Sequence, residues 1–271
     1  MAYENFKPTI WSQYIQRELE KKCKLVKDCW SQFEGEAKKG KTVKILGVGS
    51  PTIGTYTGES IGAPETIDGT DVLLDIDQAK FFNFMVDDVD KAQSVPGLME
   101  QLMKEATHKL ALASDTYVAS LAAEHDLNNG AGSAITTAAA AKKAIDAGLL
   151  ALRENDVDIE DNVVIEIAPF LYQLFKDNLV ELKTANDDLI KKGVMGTYDG
   201  AEVKLCNNLY NADGMYYNMI RTKKAIAFAR QIQETEAYRP EGFFSDAVKG
   251  LDVYGAKIVR PKELYVLKAS K

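Results

Sequence analysis

Residues Asp71–Asp88 read DVLLDIDQAKFFNFMVDD. Phe82, Phe84 and Val86 stand two apart, which is the period of a strand and not of a helix. Upstream, TVKILGV (residues 42–48) alternates in the same way and is rich in β-branched residues. Between the two runs lie Gly47, Gly49, Gly54, Gly58, Gly62 and Gly69, with Thr and Ile interleaved. Strand, loop and strand make a long two-stranded excursion. It holds too few apolar residues for a core of its own, and a two-stranded ribbon alone is marginal.

A strand running into glycines raises the question of a phosphate site, and the spacing answers it. A dinucleotide fingerprint needs G-x-G-x-x-G opening a helix; Gly47 and Gly49 supply two glycines, and Thr52 stands at the third position. Gly49 and Gly54 meet the P-loop spacing, but Thr55 and Tyr56 follow where Lys and Ser/Thr must reach phosphate and metal. The residues beyond are β-branched and broken by Gly and Pro, so no helix N-terminus is expected there to hold an anion.

Other chemistry is equally faint. Asp156, Asp158, Glu160 and Asp161 begin like a calcium loop, yet Asp161 replaces the turn glycine and Ile167 the closing glutamate. Asp87, Asp88 and Asp90 stand where a strand hands over to a helix, and suit its N-terminal dipole. His108 and His125 are the two histidines, and neither lies in a nucleophile motif. Cys23, Cys29 and Cys206 show no CxxC pairing, so they read as buried thiols and not as a disulfide or zinc framework. The reading is of no catalytic, cofactor or metal site.

The remainder of the chain is α+β. Residues 9–29 predict an amphipathic helix, with Thr9 as N-cap and Ile10, Trp11, Tyr14, Ile15, Leu19 and Val26 at helical spacing. From Pro96 to about Asp126, Leu98, Leu102, Ala106, Leu110, Ala113, Tyr117 and Leu121 step by three or four, a rod of roughly 45 Å. A second helix is expected over 136–155, then the buried strand NVVIEIAP (162–169), short helices at 170–178 and 185–194, and a strand in GAEVKLCNNL (200–209). KKAIAFARQI (223–232) and DVYGAKIVRPKELYVLKA (252–269) close the chain with strand character.

The 271 residues are 46% apolar and 27% charged, the make-up of a soluble globular protein. A net charge of −7 argues against a surface built to grip nucleic acid. No apolar run approaches the roughly 18–20 residues of a membrane span. The opening MAYENFKPTIWSQY lacks the pattern of a signal peptide, so a cytoplasmic protein is expected. A poorly self-packed hairpin, a long helix and a helical arm suit a chain whose neighbours cover them, hence an obligate assembly.

Four stretches carry a specific resemblance: IWSQYIQRELEKKC (10–23), GKTVKILGVG with IGTYT (40–57), LLDIDQAKFFNFMVDDVDKAQ (73–93) and FFSDAVKGLDVYGAKIVRPKELYVL (243–267). With these the chain resembles the major capsid proteins of tailed bacteriophages or prophages, of the Salmonella-phage coat-protein type with the Hong-Kong-97-like fold. The resemblance implies an N-terminal arm over 1–32 and an extended loop over 33–86 that lies on a neighbouring subunit. It implies a peripheral domain over 87–132, with the spine helix, completed by a strand from about 248–262. An axial domain and C-terminal return strand would occupy 133–271. Subunit-contact candidates are Ile10, Trp11, Ile53, Tyr56, Glu59, Ile61 and Asp68.

The same resemblance implies a non-catalytic shell protein without cofactor or metal, self-assembling into pentamers and hexamers. Its partners would be a portal protein and packaged double-stranded DNA held without sequence-specific binding, with no membrane involved. The helical arm starts almost at the first residue, leaving no fused scaffolding segment, so a separate scaffolding protein is expected. Assembly would take place in the host bacterial cytoplasm and the product would be a virion. No cross-linking set of Lys, Asn and Glu can be matched. The rival readings are an encapsulin-type cargo compartment and, further off, a nucleotide-binding enzyme using Gly47–Gly54.

Overall fold

The computed structural model describes residues 24–32, 41–46, 71–87, 98–125, 132–159, 163–181 and 196–271. Strands β1 (Thr42–Leu46) and β2 (Asp71–Asp75) pair antiparallel, with Thr42 opposite Asp75 and Leu46 opposite Asp71. Ile76 and Asp77 break the run before β3 (Gln78–Asp87). The hairpin expected from the glycine-flanked runs is therefore present at its foot, and its long second run is two strands with different partners.

Helix α1 (Leu98–Ser120) continues into a 3-10 turn, Leu121–Ala123. After β4 (Ser133–Ala134), helix α2 (Ala138–Glu154) starts at Thr137, whose hydroxyl oxygen accepts a hydrogen bond from the Ala140 N–H at 3.3 Å. Then come β5 (Val163–Ile167), α3 (Pro169–Glu181), β6 (Thr197–Tyr198), β7 (Ala201–Leu205), β8 (Asn211–Ala212) and β9 (Met215–Thr222). The chain ends with the long strands β10 (Ile226–Tyr238) and β11 (Ser245–Ile258), a 3-10 turn at Pro261–Glu263, and β12 (Leu264–Ser270).

One body is a seven-stranded mixed sheet in the order β4-β12-β9-β5-β7-β6, with β8 on β9. Ile145, Leu149 and Leu152 of α2 and Leu171 and Phe175 of α3 pack against Ile165, Ile167, Ile220 and Leu267 of the sheet. Strand β5 is buried at all five positions, as a central strand covered on both faces must be. A Cβ on Gly148 would lie 2.5 Å from Ile220 Cδ1 and 2.9 Å from the Tyr265 ring, so a larger residue there would have to push these side chains aside for α2 to keep its distance from the sheet.

The other body is a three-stranded antiparallel ribbon, β10-β11-β3, with a bulge between Arg230 and Ile232. On one of its faces Val248, Phe82, Phe84 and Ala237 meet Met103, Leu110 and Ala111 of α1. The hairpin foot packs Val43, Ile45, Leu74 and Ile76 against Ala227, Ala229 and Val253 of the ribbon. The approach is close: a Cβ on Gly255 would lie 2.1 Å from the Asp75 carbonyl oxygen.

Two expectations need correction. Of the stripe read at helical spacing, Leu110 and Leu121 are buried, but Leu102, Ala106, Ala113 and Tyr117 lie at the half-exposed border of α1, and the buried face carries Met103, Thr107, Ser114 and Val118 beside Leu110. The polar members face inward because Thr107 and Ser114 donate their hydroxyls to the Met103 and Ala111 carbonyl oxygens. The helix expected over 9–29 does not extend through 24–29, where Val26–Asp28 form a single 3-10 turn and Trp30 bridges to Ala227. Its earlier part, residues 9–23, lies outside the described residues, as do Pro96 and the helix expected at 185–194.

Candidate assembly surface

All seven contact residues nominated from the sequence (Ile10, Trp11, Ile53, Tyr56, Glu59, Ile61 and Asp68) lie outside the described residues, and so does the Gly47–Gly54 loop. What is described is the surface next to them. On the ribbon face turned away from α1, Phe81 is 76% exposed, Met85 57% and Leu251 37%. Phe81 and Leu251 stand opposite each other in the β3–β11 register. Phe243 and Phe244, 60% and 82% exposed, precede β11 at the end of the ribbon where Ser245 pairs with Asp87. The β10 side is polar instead, with Lys249 2.8 Å from Glu236 and lying over the Tyr238 ring.

Three aromatic rings thus reach solvent on this ribbon, Phe81 along its outer face and Phe243 and Phe244 at its end. Adjacent residues of a strand point to opposite faces, so FF at 81–82 commits one ring to α1 and the other to whatever covers the outer face. That signal stands in the sequence, in the doubled Phe of an alternating run. Large apolar groups gathered on one face mark interaction surfaces in soluble proteins.

The reactive side chains are placed elsewhere. His125 is buried with its Nε2 3.1 Å from the Leu264 carbonyl oxygen, and His108 is exposed on α1. Cys29 and Cys206 are buried free thiols; burial pushes the Cys29 thiol up to about 12 and raises that of Cys206 as well. Among the described residues no cluster of His, Cys, Asp and Glu is arranged to hold a metal ion. One open hollow lies at the end of α2, where Arg153 and Asp199 pair at 2.6 Å. Another lies at the hairpin foot, where the Tyr117 hydroxyl donates to Asp77 at 3.2 Å beside Glu124 and Lys257.

The most heavily charged interior lies where the two bodies meet. Arg221 of β9 and Glu166 of β5 are fully buried and share two hydrogen bonds, of 3.0 and 2.7 Å. Burial pushes the Glu166 carboxyl up to about 7 against the opposing pull of Arg221, and the Glu166 and Asp28 charges keep the Arg221 guanidinium protonated. Nothing in the local sequence signals this pair, because its members are 55 residues apart.

No protein-family model matches the chain, and no curated protein matches it. Solved structures do. A chain from Mycobacterium phage Che8 is 28% identical, with 90% of each chain covered and a TM-score of 0.76. The capsid of Cyanophage P-SCSP1u aligns at 16% identity, with 86% of this chain and 85% of that one covered and a TM-score of 0.69. A virus-like particle from Pyrococcus furiosus aligns at 13% identity over 97% and 99% of the chains, with a TM-score of 0.61. The chain has the Hong-Kong-97-like fold. That fold is shared with the phage capsid structures among these matches.

Proposed function

We propose that this chain forms the icosahedral shell around a phage double-stranded DNA genome, as pentamers and hexamers of one subunit, without catalysing a reaction. The observation that carries the reading is the likeness to the Mycobacterium phage Che8 chain over nine-tenths of both chains. The solvent-facing apolar residues of the ribbon support it, since Phe81, Met85, Phe243 and Phe244 need a partner and other copies of the subunit can supply one. Ile10, Trp11, Ile53, Tyr56, Glu59, Ile61 and Asp68 are proposed as further contacts, contributed by the arm and the extended loop. In this reading α1 is the spine of a peripheral domain and the seven-stranded sheet belongs to an axial domain. A separate scaffolding protein and a portal complete the assembly in the host cytoplasm. The net charge of −7 fits a wall that encloses DNA without gripping it.

Negative-stain electron microscopy of the purified chain, alone and co-expressed with its neighbouring genes, tests this. Closed shells, or rings of five and six subunits, are expected in at least one preparation. Uniform monomers or dimers in both would overturn it. The second reading, a compartment for protein cargo, rests on the match to the Pyrococcus furiosus particle over almost the whole of both chains. Nuclease-resistant DNA inside shells assembled during infection separates the two, because a cargo compartment holds protein instead.

A further inference from the structure

The segment Lys24–Trp30 joins no strand of either sheet beyond the single Trp30–Ala227 bridge, yet its backbone is gripped from both bodies. From α1, the buried carboxylate of Asp115 accepts hydrogen bonds from the Lys24 N–H at 3.1 Å and the Val26 N–H at 3.3 Å. From β9, Arg221 donates to the Asp28 carbonyl oxygen at 2.7 Å and to the Leu25 carbonyl oxygen at 3.1 Å. A negative group thus holds the N–H end of the 3-10 turn and a positive group its C=O end, matching the turn's own polarity. Lys204 of β7 reaches the Asp28 carboxylate at 2.6 Å. The Trp30 N–H donates to Ile226 O at 2.8 Å, and Phe228 N–H returns a bond to Trp30 O at 3.0 Å.

Apolar contacts have the same bridging character. Leu25 is fully buried in a cluster that draws Val118 from α1, Phe228 and Tyr254 from the ribbon, and Met219 and Val266 from the seven-stranded sheet. Val26 touches both this cluster and the one beneath α1. The segment is therefore a ligand that the chain supplies to the seam between its own two bodies. Its seating adds partners to charged groups on both sides of that seam: Asp115, which also takes a hydrogen bond from Asn208, on the α1 side, and Arg221 and Lys204, which also pair with Glu166 and Glu202, on the sheet side.

We propose that Lys24–Trp30 is a clasp that sets the angle between the ribbon and the seven-stranded sheet, and that unseating it frees the two bodies to change their relative orientation while each stays folded. The clasp stands apart from the capsid reading; that reading only gives it a use, because one subunit in pentamers and hexamers needs more than one setting of the angle.

The test compares the full chain with its Asp115→Asn variant and with the Asp28→Asn, Lys204→Met double variant, which removes both members of an ion pair together. Hydrogen exchange by mass spectrometry should show amides of residues 24–30 opening about tenfold faster in Asp115→Asn, and less in the double variant, with β5, β9 and β12 still protected. Spin labels at Lys109→Cys on α1 and Leu150→Cys on α2, in a Cys23→Ser background, report the angle. A single narrow distance distribution is expected with the clasp intact and a broader one in Asp115→Asn. Faster exchange at 24–30 with an unchanged distance distribution would overturn the clasp, as would rapid exchange of 24–30 in the unaltered chain. Loss of protection throughout Asp115→Asn transfers the decision to the double variant, where the same two outcomes apply. Shell formation is not a readout, so failure of the capsid reading would leave the result standing.

Discussion

Arg221 makes four hydrogen bonds inside the protein while exposing none of its side chain, two to Glu166 and two to backbone carbonyls. Replacing it by Met strands the Glu166 carboxylate in the interior, and we expect a loss of about 3–5 kcal/mol in chemical denaturation. Replacing Glu166 by Gln in the same chain should recover part of that loss, because the stranded charge is gone. The thiols give a second expectation. Cys29 is pushed up to about 12, so the folded protein keeps its proton where the unfolded chain, near 9, gives it up. Tyr117, raised to about 12 by burial and by Asp77, behaves in the same sense above its ordinary value of 10. Stability should therefore fall as pH rises from 9 towards 12, read as a declining urea midpoint. At pH 8, peptide mapping after iodoacetamide should find Cys29 and Cys206 unmodified in the native protein and modified in urea.

Among the elements, α1 shows what sequence periodicity can and cannot place. Its existence and approximate extent followed from apolar spacing; its buried face did not, because Thr107 and Ser114 hide their hydroxyls on their own helix and so count as core. Leu110→Ala should cost about 2–5 kcal/mol in thermal or chemical unfolding, and Leu102→Ala clearly less, since Leu110 is buried and Leu102 is not. Strands β1, β5, β7, β10, β11 and β12 were legible from alternation or from short apolar runs. Strand β9 was not: MYYNMIRT buries polar Asn218 and Arg221 beside Met219 and Ile220, and their partners are distant in sequence. At the hairpin foot, Gly255→Ala places a methyl against the Asp75 carbonyl. We expect β2 to be displaced from the ribbon, seen as faster exchange in β1 and β2 with the seven-stranded sheet unaffected.

For the whole molecule, the family resemblance was readable because its four stretches lie in order from near the start of the chain to near its end, whereas the exposed ribbon face emerged only once β3 was paired with β11. Phe81→Ser with Phe244→Ser should leave the melting temperature of isolated subunits within a few degrees of the original, since both rings are exposed, yet prevent closed shells in electron micrographs. The pairing of β3, β11 and β10 has a mechanical side as well. Strand β11 runs fourteen residues, is bonded along both edges, and passes through the Pro261–Glu263 turn into β12 of the other sheet. Ladder bonds lie across the strands, so tension applied along β11 loads them together in shear instead of peeling them singly. A subunit pulled lengthwise from within is then held by a tie rod, and its weak direction is across the ribbon.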